Sequence, residues 1–301
     1  MSWKHLKIFA IVALFVMDIV FLLFVIERKA SVLYYDDTLI EASETVFYEG
    51  GLHIDRSFLK ERKKTPPVYT GLISQDDFSS VMQTMAHLGY LSQEETGGLR
   101  FIGENGEFFF GNDFGFTYLA DEKTKLPSER MEESLPTALS DGEEKESVFQ
   151  TALAFLEKHA LVSDTIARYD YRISCRYVYV LGGEYVVHLT QSVGGMTLEE
   201  GLYLLIENGK VVSADGTFSV LRPKEKKSAE TAGLLNILFE ELSYIKVSED
   251  EASDYTVSDI SYSYGLYFDS NDVFYLIPLC KITYQSGETR IYNFVSGKLY
   301  S

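Results

Sequence analysis

Cysteine is scarce: the 301 residues hold two, Cys175 and Cys280, too few for a disulfide framework. Both fall in strand-like runs, "YRISCRYVYV" and "FYLIPLCKITY". That favours two buried free thiols, although an external location would permit one bridge. Basic residues are outnumbered, 27 Lys and Arg against 45 Asp and Glu, for a formal net charge of −18. A surface of that sign repels nucleic acid, whose binding needs clustered Lys and Arg, and is itself repelled by anionic lipid headgroups. Catalytic motifs are missing too. No H-E-x-x-H, G-x-S-x-G, P-loop or C-x-x-C occurs, and the five histidines (His5, His53, His87, His159, His188) include no pair at metal-ligand spacing. No metal and no cofactor is expected. Carboxylate chemistry leaves no local motif, but the expectation is a protein that is not an enzyme.

The partial matches are weak. "SFLK" at Ser57–Lys60 fits S-x-x-K, the acylating motif of penicillin-binding enzymes, without the companion S-D-N and K-T-G elements. "DSNDVF" at Asp269–Phe274 resembles a calcium loop, except that Phe274 stands where the loop needs glycine. A turn between strands is the simpler reading. His188, in "YVVHLTQ", reads as a sheet-face residue and not as a ligand.

What the chain does have is one long apolar run, "IFAIVALFVMDIVFLLFVI", residues 8–26. At about 1.5 Å per residue such a helix spans roughly 28 Å, close to the ~30 Å hydrocarbon core of a bilayer. Its fifteen Leu, Ile, Phe and Val residues contribute roughly −5 to −9 kcal/mol on insertion scales, against about +2.5 to +3.5 for the single Asp18. A cleaved leader would be shorter and followed by small residues; here "FVIERKASV" follows. The expectation is a permanent anchor, with residues 1–7 cytoplasmic and the body outside, although Lys and Arg tie at two on each side. Asp18 is the chemically loaded position. An ionisable residue inside a membrane helix usually faces a partner or a wet cavity, so Asp18, with Met17, Phe21 and Leu22 around it, is the candidate partner-binding site.

The body from residue 30 keeps 23 basic and 43 acidic residues, a net charge of about −20. Helical spacing recurs in it. In "SQDDFSSVMQTMAHLGY", Ser74 is placed to cap and Phe78, Val81, Met82, Met85 and Leu88 form one stripe, with Gly89 at the end. Phe149, Ala152, Leu153 and Leu156 stripe a second helix; Leu235, Leu238, Phe239 and Leu242 stripe a third, capped by Ser228. "DDTLIEASETVFYEGG" predicts a fourth that stops at Gly50-Gly51. Between them lie Tyr-, Phe-, Val- and Ile-rich runs joined by turn dipeptides, of which Asn105-Gly106 and Asn208-Gly209 are the strongest hairpin signals. Helices alternating with hairpins predict an α+β fold of antiparallel sheets, each packed with a helix. The layout predicts a first module over 30–120, a polar linker over 121–142, and two related modules over 143–221 and 228–301.

The N-terminus, with Trp3, Lys4 and Lys7 before an apolar helix carrying a polar residue and then "FLL", resembles the YycI-type regulatory proteins of low-GC Gram-positive bacteria. So do "ASETVFYEGGLHIDRSFL" (Ala42–Leu59), "YVVHLTQSVGGMTLEEGLYLLIENGKVV", and the closing "ISYSYGLYFDSNDVFYLIPLCKITYQSGETRIYNFVSGKLY", which is also similar to PepSY-like modules. Cys280 stands where that family's last strand usually carries Trp. The resemblance implies a non-catalytic accessory protein held by one helix. With a YycH-type sister protein, such proteins bind the membrane region of a sensor histidine kinase governing cell-wall metabolism. The alternative reading is a PepSY-like external module that binds or inhibits a protease or a wall component.

Overall fold

A computed structural model of the protein describes residues 34–60, 66–72, 75–112, 115–133, 136–162, 172–217, 225–247, 255–268 and 273–300. The expected anchor over 8–26, with Asp18, Met17, Phe21 and Leu22, lies outside the described residues, as do the Ser74 cap and Asp269–Asp272 of the calcium-like run. Among the described residues no helix is long and apolar enough to cross a membrane. They form a mixed α+β fold with one large sheet and six helices.

The chain divides into two compact units, neither contiguous in sequence. Unit 1 takes residues up to 66 together with 229–261 and 280–301; unit 2 takes 67–228 and 262–279.

Unit 1 is built on α1 (Asp37–Glu49), the short α2 (Arg56–Lys60) and α6 (Leu234–Val247). With them go the outer parts of β12 (Val257–Phe268) and β13 (Val273–Tyr284), and β14 (Thr289–Asn293). Asp36 caps α1 by accepting from the Thr38 N–H at 2.9 Å. The helix stops as predicted: Gly51 takes φ +87° and the Leu52 N–H turns back to the Phe47 carbonyl. Phe47 packs on Phe239 with tilted rings, their centroids 4.9 Å apart. Gly50 lies against Leu242, where a methyl group would overlap the leucine. The third predicted helix starts at Leu234, not after Ser228. Gly233 takes φ +78° and the Ala232 N–H pairs with the Phe294 carbonyl, so residues 228–233 stay outside the helix. Leu235, Leu238 and Leu242 are buried as expected, joined by Leu234 and Ile237, while Phe239, expected in the same stripe, is 37% exposed.

Unit 2 carries the rest of the sheet. Its strands are β1 (Val68–Leu72), β2 (Leu91–Glu95), β3 (Gly98–Gly103), β4 (Gly106–Gly111), β5 (Gly115–Leu119), β6 (Thr137–Ala138), β7 (Arg172–Leu181), β8 (Glu184–Val193), β9 (Met196–Glu207), β10 (Lys210–Thr217) and β11 (Glu225–Lys227). The order runs β11-β1-β13-β12-β9-β10-β5-β4-β3-β2, with β8, β7 and β6 branching from the other edge of β9. β12 lies parallel to β9, while β1 to β11, β1 to β13, and all the β2–β5 and β7–β10 hairpin pairs are antiparallel.

Two helices cover one face of this sheet. α3 (Gln75–His87) brings Val81 and Met85, and α5 (Glu143–Lys158) brings Val148, Ala152 and Leu156. Both stripes pack on Phe101, Phe108, Phe116, Val187, Leu202 and Leu204 in one core. Met82, expected in the stripe, is exposed, because the α3 seam runs through positions 81 and 85 and leaves residue 82 a hundred degrees round the helix. The Asn208-Gly209 turn forms as predicted, with φ of 50° and 72°. The other strong signal is displaced by one residue: Gly103 pairs with Gly106, leaving Glu104 and Asn105 as the loop. Residues 121–142, read as a linker, hold β6 and α4 (Pro127–Glu133), which lies against the opposite face. Both cysteines are free thiols.

Candidate functional site

The face of the unit 2 sheet away from α3 and α5 is organised by register. One cross-strand row runs Tyr177, His188, Tyr203, Asp215, Thr117, Phe109, Arg100, Gln93 from β7 to β2. The next row on that face runs Tyr179, Val186, Leu205, Ser213, Leu119, Glu107, Ile102, Leu91. Alternation along each strand puts both rows on one side.

The segment carrying α4 closes the middle of this face. Ser213 Oγ donates to the Lys125 carbonyl at 2.7 Å, and both the Ser128 N–H and hydroxyl donate to the Asp215 carboxylate. Met131 packs on Leu181, Val186 and Leu205, and Arg130 grips Glu184 at 2.6 Å. Burial pushes the Asp215 carboxyl up, against the lowering effect of its Ser128 bonds. The two ends stay open. At one, Tyr177 is 43% exposed; at the other, Leu91 is 78% and Ile102 45% exposed.

His188 sits at the first end, as a sheet-face residue. Its ring stacks on Tyr203 at 4.2 Å, nearly parallel, with Tyr177 6.2 Å away on the other side. Gly201 makes room: a methyl group there would overlap His188 Nε2. Burial, then the nearby Arg176 guanidinium, pushes the His188 imidazole down to about 4. It is therefore neutral at pH 7 and cannot serve there as a proton shuttle poised near its own pKa.

At the second end, Ile102 borders a hollow of about 260 Å³ whose floor includes Gly103, Gly106, Leu119 and Ala120. Its rim is acidic, with Glu104, Glu107, Asp121 and Glu122. Arg100 holds Glu107, and Asp121 accepts from the Lys123 N–H at 2.6 Å.

Unit 1 offers a polar cleft of about 590 Å³ lined by His53, Asp55, Ser57, Thr256, Ser258 and Gln285. A parallel bridge between His53 and Thr256 shapes it. Ser57, from the S-x-x-K match, lies here in the first turn of the five-residue α2, and its N–H donates to Asp55 Oδ1 at 2.7 Å. Its hydroxyl bonds to the same carboxylate, and with the N–H bond it lowers the Asp55 pKa. That is a helix cap. Phe274, from the calcium-like run, is buried in β13. Among the described residues no group of three or more His, Cys, Asp or Glu is placed to hold a metal.

One cluster escaped the sequence reading. Glu241 on α6 is 0% exposed and accepts from Arg290 at 2.7 Å and from the Tyr284 and Tyr292 hydroxyls. Burial pushes both phenols up, and their bonds to Glu241 push them further. Arg290 also lies over the Tyr255 and Tyr284 rings, at 5.8 and 5.9 Å. Arg290 also pairs with the exposed Glu288 at 3.0 Å, so the cluster ties α6 to the β13–β14 segment of unit 1.

No family model matches the chain, and no curated protein matches it. Among solved structures it is similar to an uncharacterized protein from Eubacterium rectale, at 15% identity and a TM-score of 0.46, covering 79% of this chain and 86% of that one. It is also similar to the YpeB C-terminal domain of Bacillus megaterium, at 10% identity and a TM-score of 0.32, over 76% of this chain and 96% of that one. With TM-scores below 0.5, neither likeness assigns this chain a role.

Proposed function

We propose that the chain is a membrane-anchored, extracytoplasmic accessory protein that works by contact and not by turnover. Its partner in this reading is the membrane region of a sensor histidine kinase controlling cell-wall metabolism, together with a YycH-type sister protein. One observation carries the contact reading: the sheet face closed at its centre by α4 and left open at both ends, with Tyr177 at one and Leu91 and Ile102 at the other. Exposed apolar groups beside charged ones are what a protein interface uses. The choice of partner rests on the sequence resemblance and on Asp18 inside the apolar run.

Photo-crosslinking residues at Met17, Ile19 and Phe21, introduced in turn into the full chain in its native membrane, test the reading. A kinase adduct strong at one helix face and lost in Asp18→Leu is the expected result. Adducts with lipid alone, while a detached body over 30–301 keeps full function, would move the assignment to an external module acting on a protease or a wall component.

A further inference from the structure

The second open end of the unit 2 sheet has the features of a strand-acceptor edge. β2 ends the strand order, and no further strand pairs with its outer side among the described residues. An unpaired edge is a template for another strand unless short length, charged side chains, proline, a bulge or a covering element blunts it. β2 is the five-residue "LSQEE", without proline and in unbroken register with β3; its two glutamates turn away an acidic strand and leave the edge open to a basic one. Its Leu91 stands beside Ile102 on the same face, and Ile102 leads into the hollow. At about 260 Å³ the hollow is below the ~300–1,000 Å³ range of small-molecule pockets, and Ile102 is its border towards β2. Charge selects the rest. Glu104 and Glu122, which line the hollow, have no ion-pair partner among the described residues.

We propose that β2 and this hollow form a docking site for an extended, basic segment of a protein partner. The segment adds a strand to β2, places one large apolar side chain over Leu91 and Ile102, and sets Lys or Arg against Glu104 and Glu122. Main-chain bonds along the edge supply affinity and the hollow supplies selectivity. A second copy of this chain is the poorer occupant, because pairing two β2 edges brings like carboxylates together. The proposal rests on the contact reading above and gives that contact its chemistry.

The test uses the full chain in nonionic detergent and a fluorescent peptide that alternates Lys and Val around one central Phe, followed by anisotropy. Saturable binding that weakens with added salt is expected. The double substitutions Leu91→Ser with Ile102→Ser, and Glu104→Gln with Glu122→Gln, are each expected to weaken it by about tenfold or more. Leu39→Ser, at an exposed leucine on α1, leaves it unchanged. All of these side chains are at least partly exposed, and circular dichroism verifies that each variant is folded.

Equal binding of a Lys-Gly peptide, or indifference to the Leu91 and Ile102 substitutions, would reduce the effect to net charge and overturn the site. Self-association through β2 that the peptide cannot displace would overturn it in favour of a second copy. Failure of the peptide alongside a kinase adduct at residues 17–21 removes the edge site and leaves the contact reading standing. Binding as specified with no such adduct does the reverse for the membrane helix.

Discussion

At the scale of single residues, Glu241 and His188 show opposite ways of managing a buried ionisable group. Glu241 is fully buried with three donors around it, and Arg290 beside it is 19% exposed. Removing one partner of such a pair strands the other. Glu241→Ala is therefore expected to cost about 3–5 kcal/mol, read from urea denaturation midpoints. Tyr292→Phe removes one donor, keeps the packing, and should cost about 1.5–3 kcal/mol. Equal losses in the two variants would mean that Glu288, already 3.0 Å from Arg290, compensates for the missing carboxylate. His188 is instead held neutral. Its pKa falls from 6.5 to about 4 on folding, so the unfolded chain takes up a proton that the folded one refuses. Stability from this group is complete above pH 6.5 and is lost as pH falls towards 4, by up to about 3 kcal/mol. Carboxylates titrate near the bottom of that window, so the measurement is a difference. Urea stabilities at pH 7 and pH 4.5 should diverge less in His188→Phe than in the parent chain. Parallel losses would show that the imidazole titrates normally in its stack.

At the scale of elements, two glycines with positive φ do different work. Gly209 sits in the type I′ turn at φ +72° with open space around it, so Gly209→Ala costs only the left-handed backbone, about 1–2 kcal/mol. Gly106, at φ +117°, leaves no room for a methyl group beside the Leu119 carbonyl. Gly106→Ala must add a steric cost and displace β4 from β5, so its chemical-denaturation midpoint should fall further than that of Gly209→Ala. The same pair marks what was legible in the sequence. Asn208-Gly209 could be read because a type I′ turn is decided by its own two residues. Asn105-Gly106 has the same letters, but there the hairpin pairs Gly103 with Gly106, so the loop sits one residue earlier. The Ala152–Leu156 stripe was legible through its period, while Ser228 was not the cap, since pairing of Ala232 with Phe294 overrode it. The Tyr177–His188–Tyr203 stack and the hollow beside Ile102 needed strand register. The Glu241 cluster joins residues 43 to 51 positions apart. No local pattern announces such contacts.

At the scale of the molecule, the division into units changes what counts as a piece. The layout of helix followed by strands makes 228–301 look like a module. The folded chain shares those residues out instead. Residues 229–261 and 280–300 go to unit 1 and 262–279 go to unit 2. Cut out alone, that fragment would lose Phe47 from Phe239 and Gly50 from Leu242. It would also lose β1 from its register with Val273–Leu276 and β9 from Tyr264. Each buried aliphatic or aromatic side chain re-exposed costs about 1.5–3 kcal/mol, against a net stability of about 5–15 kcal/mol for a whole domain. The fragment is therefore expected not to fold, giving poorly dispersed amide resonances and no near-ultraviolet circular dichroism. Residues 34–301 should give both. Cooperative unfolding of the isolated fragment would restore the module reading and mean that α6 with β12–β14 carries its own core; its absence would mean that the fragment needs α1, β1 and β9 to complete the cores its residues belong to.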